Sequence, residues 1–329
     1  MKLKREKVKI IAFVSGMLIL MVGIWFILYH FEGASEKTPM SNNKQLFQDP
    51  EKKQPDEIVS YLIIGTDASG STGNQKEYQG NMADFLLLFV MNKTQKTYGF
   101  LQLNRDSITD VTMLQKDGTG YASADMQVCT AHWFGKDEEA SSKNTVKAVS
   151  KLLGGIKIDG YYSLQMESIP EINHLVGGIN VTLEEDFTKM DPSMKKGATV
   201  TLNDEQAYHY LHDRYGVGDE SNLSRMSRQK QYMQAMLDKV KEKSNEDASF
   251  INKMYKELQQ KATTDLKGRD ISSLMNAQKG SSNIGLFTLE GKSKKGEALG
   301  DGLEHMEFYP SKQSIKDIQK KLNFQSKGE

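Results

Sequence analysis

The 329-residue chain contains a single cysteine, Cys129, so it cannot form an intramolecular disulfide, and its stability has to come from a packed core. It also lacks net charge, with 43 basic residues against 43 acidic ones. That balance disfavours a nucleic-acid partner, which binds to surplus positive charge. Proline is scarce, and three of the six prolines fall in one polar stretch, residues 32–57. No internal repeat and no second domain boundary stands out beyond it. The residues that follow are numerous enough to bury a substantial core.

The N-terminus is rich where the rest is poor. "IIAFVSGMLILMVGIWFILY" is an uncharged apolar run, and about twenty such residues match the ~30 Å hydrocarbon core of a bilayer. Lys2, Lys4, Arg5, Lys7 and Lys9 precede it, and Glu32 and Glu36 follow. The positive-inside rule therefore predicts a cytoplasmic tail at 1–9, a transmembrane anchor at 10–31 and an extracellular remainder. The rival reading is a cleaved signal peptide ending at Gly33, Ala34 and Ser35, but the run exceeds the ~7–15 residues of such a segment. Residues 32–57 show no periodicity and read as an extracellular stalk. Residues 58–329 then form the extracellular domain.

Within that domain, "SYLIIG" reads as a buried strand, and "FLLLFVM" and "TYGFLQLN" around "NKTQK" as a hairpin deep in a sheet. A helix is predicted over 144–153. A capping box at Ser168–Glu171 should open another that stops at "VGG", before the strand "INVTL". Asn203 with Gln206 predicts a second capping box, and "GVG" ends that helix. The next begins around Ser221–Ser224 and runs to about Lys243, with Met226, Met233, Leu237 and Val240 on a core face. "MEFYP" and "KQSIKDIQKKLNF" give a last strand and helix. Strands mixed with helices on an apolar sheet predict an α/β fold, a layered mixed sheet flanked by helices.

The chemistry gathers in "HDRYGVGDESNLSRMSRQ", residues 212–229. On a helix, Arg225, Arg228, Gln229 and Tyr232 share one flank at i, i+3, i+4 and i+7, and the preceding loop returns Arg214 toward it. Arginine forks and a helix start suit phosphate oxygens. The plainer alternative is a set of arginines on a solvated face, with Arg214 complementing a helix C-terminus. Asp67 follows the strand "LIIGTD", Asp84 precedes "FLLLF", and Arg105 and Asp106 end the hairpin's second strand. Strand ends collect ligands in such folds. Two carboxylates beside arginines suit a Mg²⁺ ion bridging them to phosphate, although each aspartate alone fits a turn or cap.

"LIIGTD", "ADFLLLFVMN", "LNRDS", "LVGGINVTL" and "RYGVGDESNLSRMSRQ" occur in an order that resembles the LytR-CpsA-Psr (LCP) family, over roughly residues 58–243 and on to the C-terminus. The resemblance implies a membrane-anchored extracellular phosphotransferase of a Gram-positive-type bacterium. Such an enzyme takes a glycopolymer, such as a teichoic acid or capsular polysaccharide, from a polyprenyl-pyrophosphate carrier. It joins that polymer to a peptidoglycan hydroxyl through a phosphodiester, holding the lipid in an apolar tunnel between sheet and helices. By position, Asp67 and Asp84 would hold Mg²⁺. Arg105, Arg214, Arg225, Arg228 and Gln229 would grip the pyrophosphate, and Asp106 is a candidate base. The chain departs from the family twice. Met82-Ala83-Asp84 lacks the usual arginine, and His212-Asp213-Arg214 has histidine in place of another. His212 would then face the pyrophosphate with a titratable charge. These losses leave two further readings open, a non-catalytic binder or regulator of lipid-linked polymer or cell-wall glycan, and a lipid-pyrophosphate hydrolase.

Overall fold

The computed structural model describes residues 56–67, 80–247, 249–267, 277, 280–299 and 302–324. The predicted anchor at 10–31 lies outside them, as does all of the stalk except residues 56 and 57. Among the described residues no helix is long and apolar enough to cross a membrane.

The apolar runs build the centre of the molecule. β1 (Ile58–Asp67), β2 (Met82–Asn92) and β3 (Thr97–Leu103) form an antiparallel meander. β6 (Gly160–Gln165) joins β1 in parallel, β9 (Ala262–Thr264) pairs antiparallel with β6, and β10 (Ser282–Thr288) lies parallel to β3. The mixed sheet has the order β10-β3-β2-β1-β6-β9. Its central strands are covered on both faces, so they read as continuous rather than alternating hydrophobic runs. One face, with Leu62, Ile64, Leu86, Leu88 and Leu101, packs with Val149 and Leu152 of α1 (Glu138–Leu152) and Ile318 of α6 (Lys312–Lys321). The other face, with Ile63, Leu87, Phe89 and Tyr162, meets Met233 of α4 (Asn222–Glu246).

A second core ties α4 to α2 (Ile169–Val176), α3 (Asp204–His212), α5 (Phe250–Gln259) and the ribbon β7 (Ile179–Thr182) with β8 (Thr199–Leu202). Two further ribbons, β4 (Ile108–Leu114) with β5 (Gly120–Gln127) and β11 (Gly291–Gly296) with β12 (His305–Pro310), lie outside the main sheet. The layered mixed sheet flanked by helices is the predicted architecture.

Local signals fared unevenly. The capping box at Asn203 is formed in both directions, and Ser221 caps α4. The one predicted at Ser168 is not made, because that residue already has helical angles that turn its side chain out of reach of the free N–H groups. Its helix does stop at Gly177, whose φ of 80° favours glycine. α1 begins six residues before the predicted Asn144, at Glu138, because Asp137 accepts from the N–H of Ala140 and fixes an earlier start.

Candidate functional site

β1 and β2 deliver the two carboxylates through a defect in their pairing. Gly65 opposes Phe85 but Thr66 opposes Ala83, so Asp84 is the extra residue of a β-bulge. Bulges re-aim side chains, and this one belongs to β2 itself, which starts at Met82 rather than after Asp84 as the apolar run alone predicts. Asp67 ends β1, two positions beyond the bulge. One ligand atom each from Asp67, Asp84 and His212 lies within 4.8 Å of the others.

Asp84 is 6% exposed and is held between two guanidinium groups. Arg105 Nη1 donates to its Oδ1, and Arg225 Nη1 donates to its Oδ2 at 2.8 Å. Arg105 Nη2 also contacts Met82 Sδ at 2.7 Å and Cys129 Sγ at 3.2 Å. Met82 thus lies against the site in the position where the resemblance expects an arginine. Asp106 sits alongside, 3.5 Å from Arg105 Nε and 3.8 Å from Arg214 Nη1. Burial pushes its carboxyl above the usual range, although Arg105 and Arg214 pull the other way. Arg214 is the outermost cation of the group, and its guanidinium donates to the hydroxyl of the exposed Tyr215 at 2.7 Å.

The three side chains of α4 point somewhere more specific than the sequence predicted. Arg228 Nε donates to the carbonyl of Tyr210 at 2.8 Å and Nη2 to that of Asp213. Gln229 Nε2 donates to the carbonyl of Leu211, and Arg225 Nη1 to that of His212, both at 3.2 Å. These carbonyls close α3, where the last groups of a helix lack internal partners and favour positive charge. Arg228 also pairs with Glu185. Arg228 and Gln229, which the resemblance assigns to the pyrophosphate, instead turn donors to the end of α3 and, from Arg228, to Glu185, while the Gln229 carbonyl oxygen accepts from Gln102 Nε2 at 3.1 Å. Arg225 does both jobs.

His212 is the last residue of α3. Its Nδ1 donates to Asp213 Oδ1 at 3.0 Å, and Tyr208 stacks on its ring with centroids 4.9 Å apart. Nε2 faces Asp67 Oδ2 at 3.2 Å but is buried without a hydrogen-bond partner. The Asp213 carboxylate, followed by that of Asp67, raises the imidazole pKa to about 9. Sequence reasoning missed Asp213 as the group that orients this ring. It also missed Asn222, whose Oδ1 accepts from Arg225 Nε at 3.1 Å and whose Nδ2 donates to Asn104 Oδ1 at 2.8 Å. Asn222 precedes Arg225 by three residues, a helical spacing that does signal contact.

Next to the carboxylates, between sheet and helices, lies an apolar cavity of about 130 Å³ lined by Gly65, Phe85, Ile172, Tyr232, Met233 and Met236. Met233 and Met236 also line an adjoining groove of about 720 Å³, with Leu87, Phe100 and Leu286.

The LytR_cpsA_psr family model matches residues 25–323. This chain belongs to that family. Biofilm regulatory protein A of Streptococcus mutans is 30% identical over 190 residues, which cover 55% of this chain and 44% of that protein, so the chain spans less than half the length of this relative. Polyisoprenyl-teichoic acid--peptidoglycan teichoic acid transferase TagU of Bacillus cereus is 25% identical across 71% of this chain and 72% of its own. Among solved structures, B. subtilis TagV superposes with a TM-score of 0.58 at 21% identity, covering 83% of this chain and all of TagV. TagT bound to LI-WTA gives 0.55 at 21%, covering 85% and 93%. The LytR_cpsA_psr fold thus accommodates the bulge, the two arginines on Asp84 and the apolar cavity of this chain.

Proposed function

We propose that this protein transfers a glycopolymer from a polyprenyl-pyrophosphate carrier to a peptidoglycan hydroxyl, forming a phosphodiester at the membrane surface. One observation carries the reading: a buried carboxylate and arginine cluster opens beside an apolar cavity, as an amphiphile with an anionic head requires. The relatives named as teichoic acid transferases support the same polymer class and acceptor.

Arg214 meets the pyrophosphate oxygens from the exposed side with Arg105 behind it, and Arg225 supports the cluster from below through Asp84. Arg228 and Gln229 serve the clamp indirectly by fixing the end of α3. Asp67 and Asp84 suit a divalent ion, Mg²⁺ in the reading from resemblance, because their oxygens converge within reach of one cation. Such an ion supplies charge neutralisation at the phosphate oxygens. Phosphoryl transfer needs chiefly positioning and charge stabilisation. The acceptor oxygen forms a bond to the polymer-side phosphorus as the bond to the lipid-phosphate oxygen breaks. Asp106, a stronger proton acceptor than an ordinary carboxylate because it is buried, takes the hydroxyl proton.

The test is an assay with lipid-pyrophosphate-linked sugar and a glycan acceptor. Transfer to the glycan is the expected outcome. Release of the polymer to water, or binding without turnover, would replace the proposal with the hydrolase or the binder.

A further inference from the structure

We propose that Asp67, Asp84 and His212 form a mixed oxygen–nitrogen metal site that selects a transition-metal ion, Mn²⁺ or Zn²⁺, over Mg²⁺. The inference rests on the reading that the two aspartates hold a divalent ion, and adds the imidazole as a third ligand.

Three observations carry it. One ligand atom from each side chain lies within 4.8 Å of the other two, a spacing that one ion can bridge. His212 Nε2 is buried and faces the Asp67 carboxylate at 3.2 Å with no other partner, so an ion entering the gap takes the place of the proton between them. The other ring nitrogen donates to Asp213 at 3.0 Å, which fixes the ring so that Nε2 is the atom offered to the gap. A carboxylate behind the distal nitrogen is the usual support of a metal-bound histidine, because it sets the tautomer and makes the ligand more basic. The ring is also clamped by Tyr208, and its helix end is held by the donors of Arg225, Arg228 and Gln229.

The donor set decides the metal class. Mg²⁺ takes oxygen ligands in near-octahedral geometry and keeps much of its water, so a nitrogen donor adds little. Imidazole nitrogen favours Zn²⁺ and other first-row ions, and carboxylates still suit Mn²⁺. The arginine that the resemblance expects at position 212 has no lone pair to offer. Histidine there turns a fixed positive charge into a ligand, so the preference is a property of this chain. The arginines on Asp84 do not prevent it, because each carboxylate oxygen has a second lone pair.

The experiment is calorimetric titration of the full chain with Mn²⁺, Zn²⁺ and Mg²⁺, for wild type, His212→Gln, His212→Arg and Asp67→Asn. Wild type should bind Mn²⁺ and Zn²⁺ at least about tenfold more tightly than Mg²⁺, with His212→Gln removing most of that preference. The electron paramagnetic resonance of bound Mn²⁺ should show coupling to an imidazole nitrogen that both His212 variants lose. Asp67→Asn, which keeps the histidine, should lose the binding of all three ions. Equal affinity for the three ions in wild type, or a nitrogen coupling that survives His212→Gln, would overturn this inference alone. No divalent binding by wild type, or binding unaffected by Asp67→Asn, would overturn the metal reading of the aspartates as well.

Discussion

Each charged side chain in the cluster is defined by the partner that burial forces upon it. Arg214, the most exposed of its arginines, is the one proposed to serve the ligand more than the fold. Arg214→Ala should weaken binding of a pyrophosphate lipid about tenfold or more, the value of one charge-assisted contact. Its melting temperature should stay near that of wild type; a fall in stability with unchanged affinity would reverse the assignment. His132 is the opposite case, a group defined by the fold alone. It is fully buried, with Nδ1 2.9 Å from the carbonyl of Asn81, and burial lowers its pKa from 6.5 to about 4. Glu138, 3.5 Å from Nε2, favours the charged ring, but burial is the larger effect. A depressed histidine stabilises the fold fully above pH 6.5, and that contribution fades as pH falls towards 4. It amounts to about 3 kcal/mol if the whole shift is realised. Urea unfolding at pH 7 and pH 4 should show this loss in wild type and its absence in His132→Gln.

Between elements, the decisive contact is the start of α4 against the end of α3. Arg225, Arg228 and Gln229 supply donors to four successive residues' worth of helix terminus, 210–213, through Tyr210, Leu211, His212 and Asp213. Arg228 is 4% exposed and also pairs with Glu185. Arg228→Ala should therefore destabilise the protein by about 1–3 kcal/mol, because it strips charge-assisted donors from the end of α3 while the half-buried Glu185 can still reach water. Thermal or urea unfolding checks this, and a change under 1 kcal/mol would return Arg228 to the solvent-exposed reading. The loop between the two helices is sterically narrow in its own right. Gly218 has φ of +55°, and a Cβ there would run into the Glu185 carboxylate that holds Arg228. Gly218→Ala should cost more than about 1 kcal/mol in the same measurement.

For the molecule as a whole, the two cores meet at α4, and the apolar cavity lies along that junction. The cavity of about 130 Å³ is small beside the ~300–1,000 Å³ of an ordinary ligand site, and the adjoining groove of about 720 Å³ extends it past Met233 and Met236. A polyprenyl chain laid through both gains about 0.8 kcal/mol for each buried methylene. Affinity should therefore rise with chain length until the groove is filled, as read by competition among carriers of graded length. A short-chain carrier binding as tightly as a long one would separate the cavity from the lipid. An anchor at 10–31 with its basic tail inside would put this domain outside the cell, so protease added to intact protoplasts should remove it; protection would reverse the topology.

Much of this was already written in the sequence. Both-face burial makes β1, β2 and β3 continuous apolar runs, and Asn203 with Gln206 closes a cap within four residues, so neither needs distant partners to be recognised. The motifs also named the cluster: Asp67, Asp84, Arg105, Asp106, Arg214 and Arg225 do meet. What the sequence left open was which partner each would take. Spacing of i, i+3 and i+4 on a helix serves solvent, a phosphate or another helix's carbonyls equally well, and only the packing of α4 against α3 assigned Arg228 and Gln229 to the last. The bulge at Asp84 is likewise invisible in one strand, because it exists only as a mismatch between two. The ring of His212 is oriented locally by Tyr208 and Asp213, but its meeting with Asp67 arises only when the end of α3 is folded back onto the sheet.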